Sequence, residues 1–118
     1  RLDTDVLGAN RAGMRSALVL TGIDNAKAVL AADTAMRPDF ILSDLSDLHR
    51  PYPAVLRSVD NNHVHTVEVG RSVVRRKENI VRVARAGRKI DLIRAGATAI
   101  YDSNLKIFGL EVDPKIYS

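Results

Sequence analysis

Two short apolar runs, SALVLT (16–21) and FILS (40–43), most constrain what this chain can fold into. Each is strand-length, and each runs into turn chemistry, Thr21-Gly22 after the first and Ser43-Asp44 after the second. Strands that read as continuous apolar runs, not as alternating ones, are those buried on both faces of a parallel sheet. Helical segments separate them. VLGANRAGM (6–14) has Asp3 or Thr4 available as a cap, and its Gly8, Ala9, Ala12 and Gly13 permit close packing on a sheet. DNAKAVLAAD (24–33) predicts a second helix opening at Asp24 or Asn25. Arg37-Pro38-Asp39 predicts a turn, since proline turns the preceding residue away from helix, and DLSDL (44–48) a short helical turn. Helix, strand, helix and strand in this order form the edge of a doubly wound α/β sheet.

A change of character follows. His49-Arg50-Pro51-Tyr52-Pro53 holds two of the four prolines and reads as a linker, dividing the chain into 1–50 and 51–118. The charge supports the division: the first part carries six basic and seven acidic side chains, the second twelve and seven. Most of the excess lies in RSVVRRKENIVRVARAGRKIDLIR (71–94), where nine basic residues face only Glu78 and Asp91. In the second part, HVHTVEV (63–69) alternates as a half-buried strand does, after a turn at Asp60-Asn61-Asn62. Helical spacing places Ile80, Ala84 and Gly87 on one face and Ile93, Ala97 and Ile100 on another, which predicts two helices broken near Gly87 and Gly96. KIFGLEV (106–112) reads as a late strand in which Gly109 marks a bulge or a close backbone approach.

The chain has no cysteine, which excludes disulfides, thiolate metal sites and a thiol nucleophile. No apolar run has the roughly 20 residues a membrane helix needs. A cytoplasmic setting without membrane attachment is the expectation.

The opening, RLDTDVLGANRAGM, carries the most specific chemistry. Asp3 and Asp5 precede a helix that leads into a buried strand, the position at which α/β sheets bind ligands beyond their strand ends. Oxygen ligands crowded there suit a hard cation such as Mg²⁺. Helix capping accounts for Asp3 and Thr4 equally well.

RLDTDVLGANRAGMRSALVLTGI, continued by RPDFILSDLSDL (37–48), resembles the fourth motif region of haloacid-dehalogenase-superfamily phosphatases, in particular the NagD-like subgroup. The resemblance covers about residues 1–48 and implies the end of a doubly wound parallel core. It implies a Mg²⁺-dependent phosphatase for small phosphate monoesters of the glycerol 3-phosphate or 2-phosphoglycolate type, working through an aspartyl-phosphate. The second carboxylate of the family's motif falls on Asp5, which would orient metal-bound water or support the site, and Asp3 matches a variable acidic position. The direct metal ligand, the nucleophile, the acid/base aspartate and the phosphoryl-binding residues would all lie upstream of Arg1. The chain thus holds no catalytic residue and no organic-cofactor site, and is expected to be inactive alone. The partners implied are a small phosphorylated metabolite, the upstream portion of the same protein, joined or as a separate chain, and a second copy in a homo-oligomer.

Residues 51–118 read as an appended α/β domain, with a weaker resemblance to a GNAT-like shape. The acetyl-CoA loop of GNAT enzymes places Arg or Gln three residues before a glycine, and no glycine here has that neighbour. The alternative function is a module that binds a phosphate-rich ligand or nucleic acid through 71–94. A solvated basic helix face explains that stretch more simply, and without interleaved aromatics nucleic acid is not the expected partner. His63 and His65 share a strand face at spacing two, with no third ligand near, so a surface role is expected for them.

Overall fold

In a computed structural model, the structure describes residues 5–21 and 23–118. It divides into two compact units, Arg1–Tyr52 and Pro53–Ser118.

The first unit is built on two parallel strands, β1 (Ala17–Val19) and β2 (Phe40–Leu42), with Leu18 opposite Ile41. Helix α1 (Leu7–Arg11) leads into β1, and α2 (Ile23–Leu30) connects β1 to β2. The order of elements follows the apolar runs, because Leu18, Ile41 and Leu42 are buried along with Ala26, Val29 and Leu30 of α2. At α1 the small residues do something other than pack closely. A side chain built on Gly8 or Gly13 would meet nothing within 4 Å, and Ala12 is exposed. Gly13 instead ends the helix: it takes a left-handed φ of 73°, and Met14 N–H reaches back to Ala9 O at 2.9 Å. That is the glycine-terminated closure in which the chain reverses without a Cβ penalty. The Asp3 and Thr4 cap positions lie outside the described residues.

The outer edge of β2 is covered from within the unit. Ile41 N–H donates to the Tyr52 hydroxyl at 3.1 Å, and the Tyr52 ring meets Phe40 edge-on at 5.1 Å between centroids. A backbone donor on a strand edge is thereby satisfied by a side chain rather than left to recruit another strand.

The second unit is a five-stranded sheet in the order β3-β4-β5-β6-β7. Strands β3 (Val55–Val59), β4 (His65–Val69), β5 (Ser72–Lys77) and β6 (Ile80–Arg85) run antiparallel, and the short β7 (Glu111–Val112) joins β6 in parallel. Helix α3 (Lys89–Ser103) packs on β4 and β5. The sheet's inner face supplies Val67, Val69, Val74 and Val81, all fully or almost fully buried.

This unit corrects the expected pair of helices. Residues 72–85 form a hairpin, not a helix, because both segments carry β-branched residues and IVRVAR alternates valine with arginine, a period of two. Glu78 turns the hairpin at a φ of 54°. The second helix exists, and Ile93, Ala97 and Ile100 are buried on it. Gly96 does not break it: a Cβ there would lie 2.6 Å from Cγ2 of Ile116, so the glycine admits a side chain from the carboxy-terminal turn. Strand β3 went unread because Leu56, Arg57, Ser58 and Val59 are exposed, as befits an edge. The late strand shrinks to two residues, with a 3₁₀ turn over Ile107–Gly109 before it, and a Cβ on Gly109 would meet open space, so neither a bulge nor a close approach explains that glycine. His63 sits in the turn before β4 at a φ of 63° and so does not share a strand face with His65.

Among the described residues, no helix is long and apolar enough to cross a membrane.

Candidate functional site

In a parallel sheet the loops beyond the strand ends carry chemistry, while the opposite ends are where chains are tied together. The first unit shows one polar cluster at each end of its strand pair.

Before the strands, Asn10, Ser16 and Asp39 form a lock. Ser16 N–H donates to Asp39 Oδ2 at 2.8 Å, and both Asp39 and Phe40 N–H groups donate to Ser16 O. Asn10 Nδ2 donates to the carbonyls of Ala35 and Arg37, each at 2.9 Å, while its Oδ1 accepts from Ser16 Oγ at 3.2 Å. Arg37 Nε adds a bond to Ala32 O at 3.1 Å. The Arg-Pro-Asp turn is thereby stitched to the end of α1 and the start of β1. The Asp39 carboxylate is engaged by the Ser16 N–H, a structural role. Sequence reading missed the lock, although Asn, Ser and Asp beside a Pro turn were its visible signal.

Beyond β2, Ser43 and Asp47 close a tight turn. Asp47 Oδ2 accepts from Ser43 N–H at 2.8 Å and from Ser43 Oγ at 2.7 Å, and Oδ1 lies 3.7 Å from Arg50 Nη1. Asp44 caps the same 3₁₀ turn, Leu45–His49, by accepting from the Ser46 N–H at 2.8 Å and from its hydroxyl. Those two bonds, the side-chain one first, hold the Asp44 carboxyl below its ordinary pKa. Asp47 is buried and engaged by the turn it closes.

Asp5 precedes α1 and is exposed. Five residues, roughly 7.5 Å of helical rise, separate it from the Asn10 lock. Asp3 lies outside the described residues. No group of three or more His, Cys, Asp or Glu among the described residues is placed to hold a metal ion. Among the described residues, Asp5 thus stands as a single exposed carboxylate outside any such group.

The nine cations of 71–94 are divided between the hairpin and the start of α3. Arg94 is buried and bonds Asp91 at 3.0 Å, Arg82 pairs with Glu111, and Arg85 lies 3.9 Å from Glu68. Asp91 lies directly under the β4–β5 turn, where Gly70 takes a φ of 57° and any Cβ would fall 2.6 Å from Asp91 Oδ2.

Comparison with known proteins bears on the first unit above all. Residues 1–48 match the model of the HAD-hyrolase-like family, Hydrolase_like. A curated D-glycerol 3-phosphate phosphatase of Mycobacterium tuberculosis is 48% identical over 50 residues, which is 42% of this chain and 14% of that protein. Crystal structures of a glycerol phosphate phosphatase from the same organism align with nearly the whole chain at 28% identity. The magnesium complex gives a TM-score of 0.61 over 96% of this chain and 31% of its own, and the calcium complex 0.58 over 95% and 32%. The chain thus spans about a third or less of the relatives it matches.

Proposed function

We propose, from the match of residues 1–48 to the HAD-hydrolase-like family, that the chain is the carboxy-terminal portion of a Mg²⁺-dependent phosphatase acting on small phosphate monoesters. The substrate type proposed is glycerol 3-phosphate, with 2-phosphoglycolate as the nearest relative in size and charge. The observation that carries the reading is the 48% identity over 50 residues to a phosphatase of that substrate, beside the family match over the residues that fold as the parallel pair.

The domain division proposed is 1–50 as the end of the phosphatase core and 51–118 as an appended α/β domain. Four antiparallel strands, one helix and a late parallel strand support a GNAT-like shape for the latter, without acyl transfer. The protein is proposed to work in the cytoplasm, with the upstream portion and a second copy as its partners.

Asp5 is the side chain of this chain we assign to the metal site, as a supporting carboxylate, with Asp3 beside it in sequence. Mg²⁺, when bound, would offset negative charge on the phosphoryl group. What the chain's own residues do is hold the frame: the Asn10–Ser16–Asp39 lock fixes α1 against β1, and so fixes where Asp5 stands. A carboxylate that orients a metal ligand, rather than substrate, acts chiefly on metal affinity. In the longer protein, Asp5→Asn should raise the Mg²⁺ concentration for half-maximal phosphate release about 10- to 100-fold. The KM for glycerol 3-phosphate should change much less. A variant whose Mg²⁺ dependence is unaltered would remove Asp5 from the metal site.

A further inference from the structure

We propose that the outer face of the second unit's sheet binds the phosphodiester backbone of a duplex nucleic acid, without reading its bases. This departs from the sequence expectation of a solvated helix face, because the basic stretch is a hairpin with a defined outer side. The inner side carries Val67, Val69, Val74 and Val81 against α3, so the alternate residues face outward. On that outward face Arg75 stands directly opposite Arg82, two residues further along β5 lies Lys77, and Arg85 stands opposite Val73. Like charges directly opposite one another on a sheet are destabilising, and Glu111 offsets Arg82 but not Arg75.

Further cations lie past the end of the strands. Gly87 packs so closely on the β4–β5 turn that a Cβ there would lie 3.0 Å from Arg71 Cβ, and Arg85 Nε donates to Arg71 O at 2.7 Å. These contacts gather Arg71, Arg85, Arg88 and Lys89 at one end of the hairpin, all exposed. Glu111 and Glu68 partner Arg82 and Arg85, but the side chains of Arg71, Arg75, Arg88 and Lys89 make no hydrogen bond or ion pair among the described residues.

The shape of the cationic set selects the partner. From Val73 to Lys77 the strand extends about 13 Å. A nucleic-acid backbone is a continuous line of charge, and the four cations without an acidic partner can neutralise about four of its phosphates. A compact single phosphate would engage only a fraction of that cationic set. No aromatic residue lies within 71–94, so there is no stacking platform for unpaired bases, and the backbone of a duplex is the form that fits.

The test is fluorescence anisotropy of a labelled duplex of about 20 base pairs, with salt raised from about 50 to about 200 mM. Four neutralised phosphates predict a log–log slope near −3.6, a loss of affinity on the order of 100-fold over that range. Arg71→Gln, Arg75→Gln and Arg88→Gln should each make the slope shallower by about one and leave the far-UV circular dichroism unchanged, since all three side chains are exposed. Lys115→Gln removes the same charge from the turn that packs on Gly96 and should leave the slope as it was. Absence of binding at the lower salt overturns the proposal, as does an equal effect of Lys115→Gln. Equal binding of poly-glutamate would also overturn it, in favour of an acidic protein partner.

Discussion

The two units reach order by opposite means. The first has three-residue strands and ties them with side chains: Asn10, Ser16 and Asp39 at one end, Ser43 and Asp47 at the other, and Tyr52 along the edge. The second has a five-stranded sheet and a fifteen-residue helix on which ten residues are buried. The difference teaches where information sits in such a chain. A small strand pair needs particular polar residues at particular places, which makes its sequence distinctive. A sheet-and-helix core accepts any well-filling apolar set, which makes its sequence anonymous.

The largest effects should come from breaking the second unit's core. Asp91→Ala would leave Arg94 buried without its carboxylate, and removing one partner of a buried ion pair costs about 3–5 kcal/mol. Urea unfolding should show most of the second unit's stability gone, and a loss below about 1 kcal/mol would mean that Arg94 is held by other groups. Ile116→Ala empties a fully buried site against Gly96 and should cost about 2–5 kcal/mol. A larger residue in place of Gly96 should be tolerated only in that background, which a double-mutant comparison by thermal melting would reveal.

In the first unit the corresponding change is smaller. Asp39→Ala strands the Ser16 N–H and should cost about 1–3 kcal/mol, read as a shift in unfolding midpoint. A neutral result there would show that the strand pair does not depend on its polar lock, and the contrast between the units would fail.

The smallest effect expected is that of pH. Burial raises the Asp113 carboxyl, but the N–H donors of Val83 and Lys115 outweigh it and hold the group below its ordinary value. Asp60 is likewise held low, first by the Val64 N–H. Carboxyls lowered in the folded state contribute stability that is fully present above their unfolded value near 3.9, and it is lost as pH falls through the folded value. Unfolding midpoints should therefore be flat from neutrality to about pH 5 and fall below about pH 4. Asp113→Asn should flatten part of that decline, and an unchanged profile would remove Asp113 from the account.

Most of the first unit was legible in its sequence, down to the order of its strands and the turn at Pro38, because short apolar runs and turn residues are local signals. Its polar lock was not, since Asn10 reaches Arg37 and Ser16 reaches Asp39 only after the chain has folded back. In the second unit the first half of the basic stretch was misread because Ile80, Ala84 and Gly87 also fit a helical period. The β-branched residues and the Glu78-Asn79 turn decided for the hairpin. Strand β3 escaped because an edge strand with exposed Leu56 and Val59 shows no inward pattern. Of the candidate site, Asp5 is proposed on resemblance to a motif alone, since no periodicity singles it out and the described residues around it form no carboxylate cluster.

The proposed function makes these residues part of a phosphatase whose reacting groups would be supplied by a longer protein. The most direct test measures inorganic phosphate released from glycerol 3-phosphate in the presence of Mg²⁺, by this chain alone and by the same chain joined to its upstream portion. The account predicts turnover by the joined protein and none by the chain alone. Hydrolysis by the 118 residues alone, at a rate that follows purified protein, would contradict it.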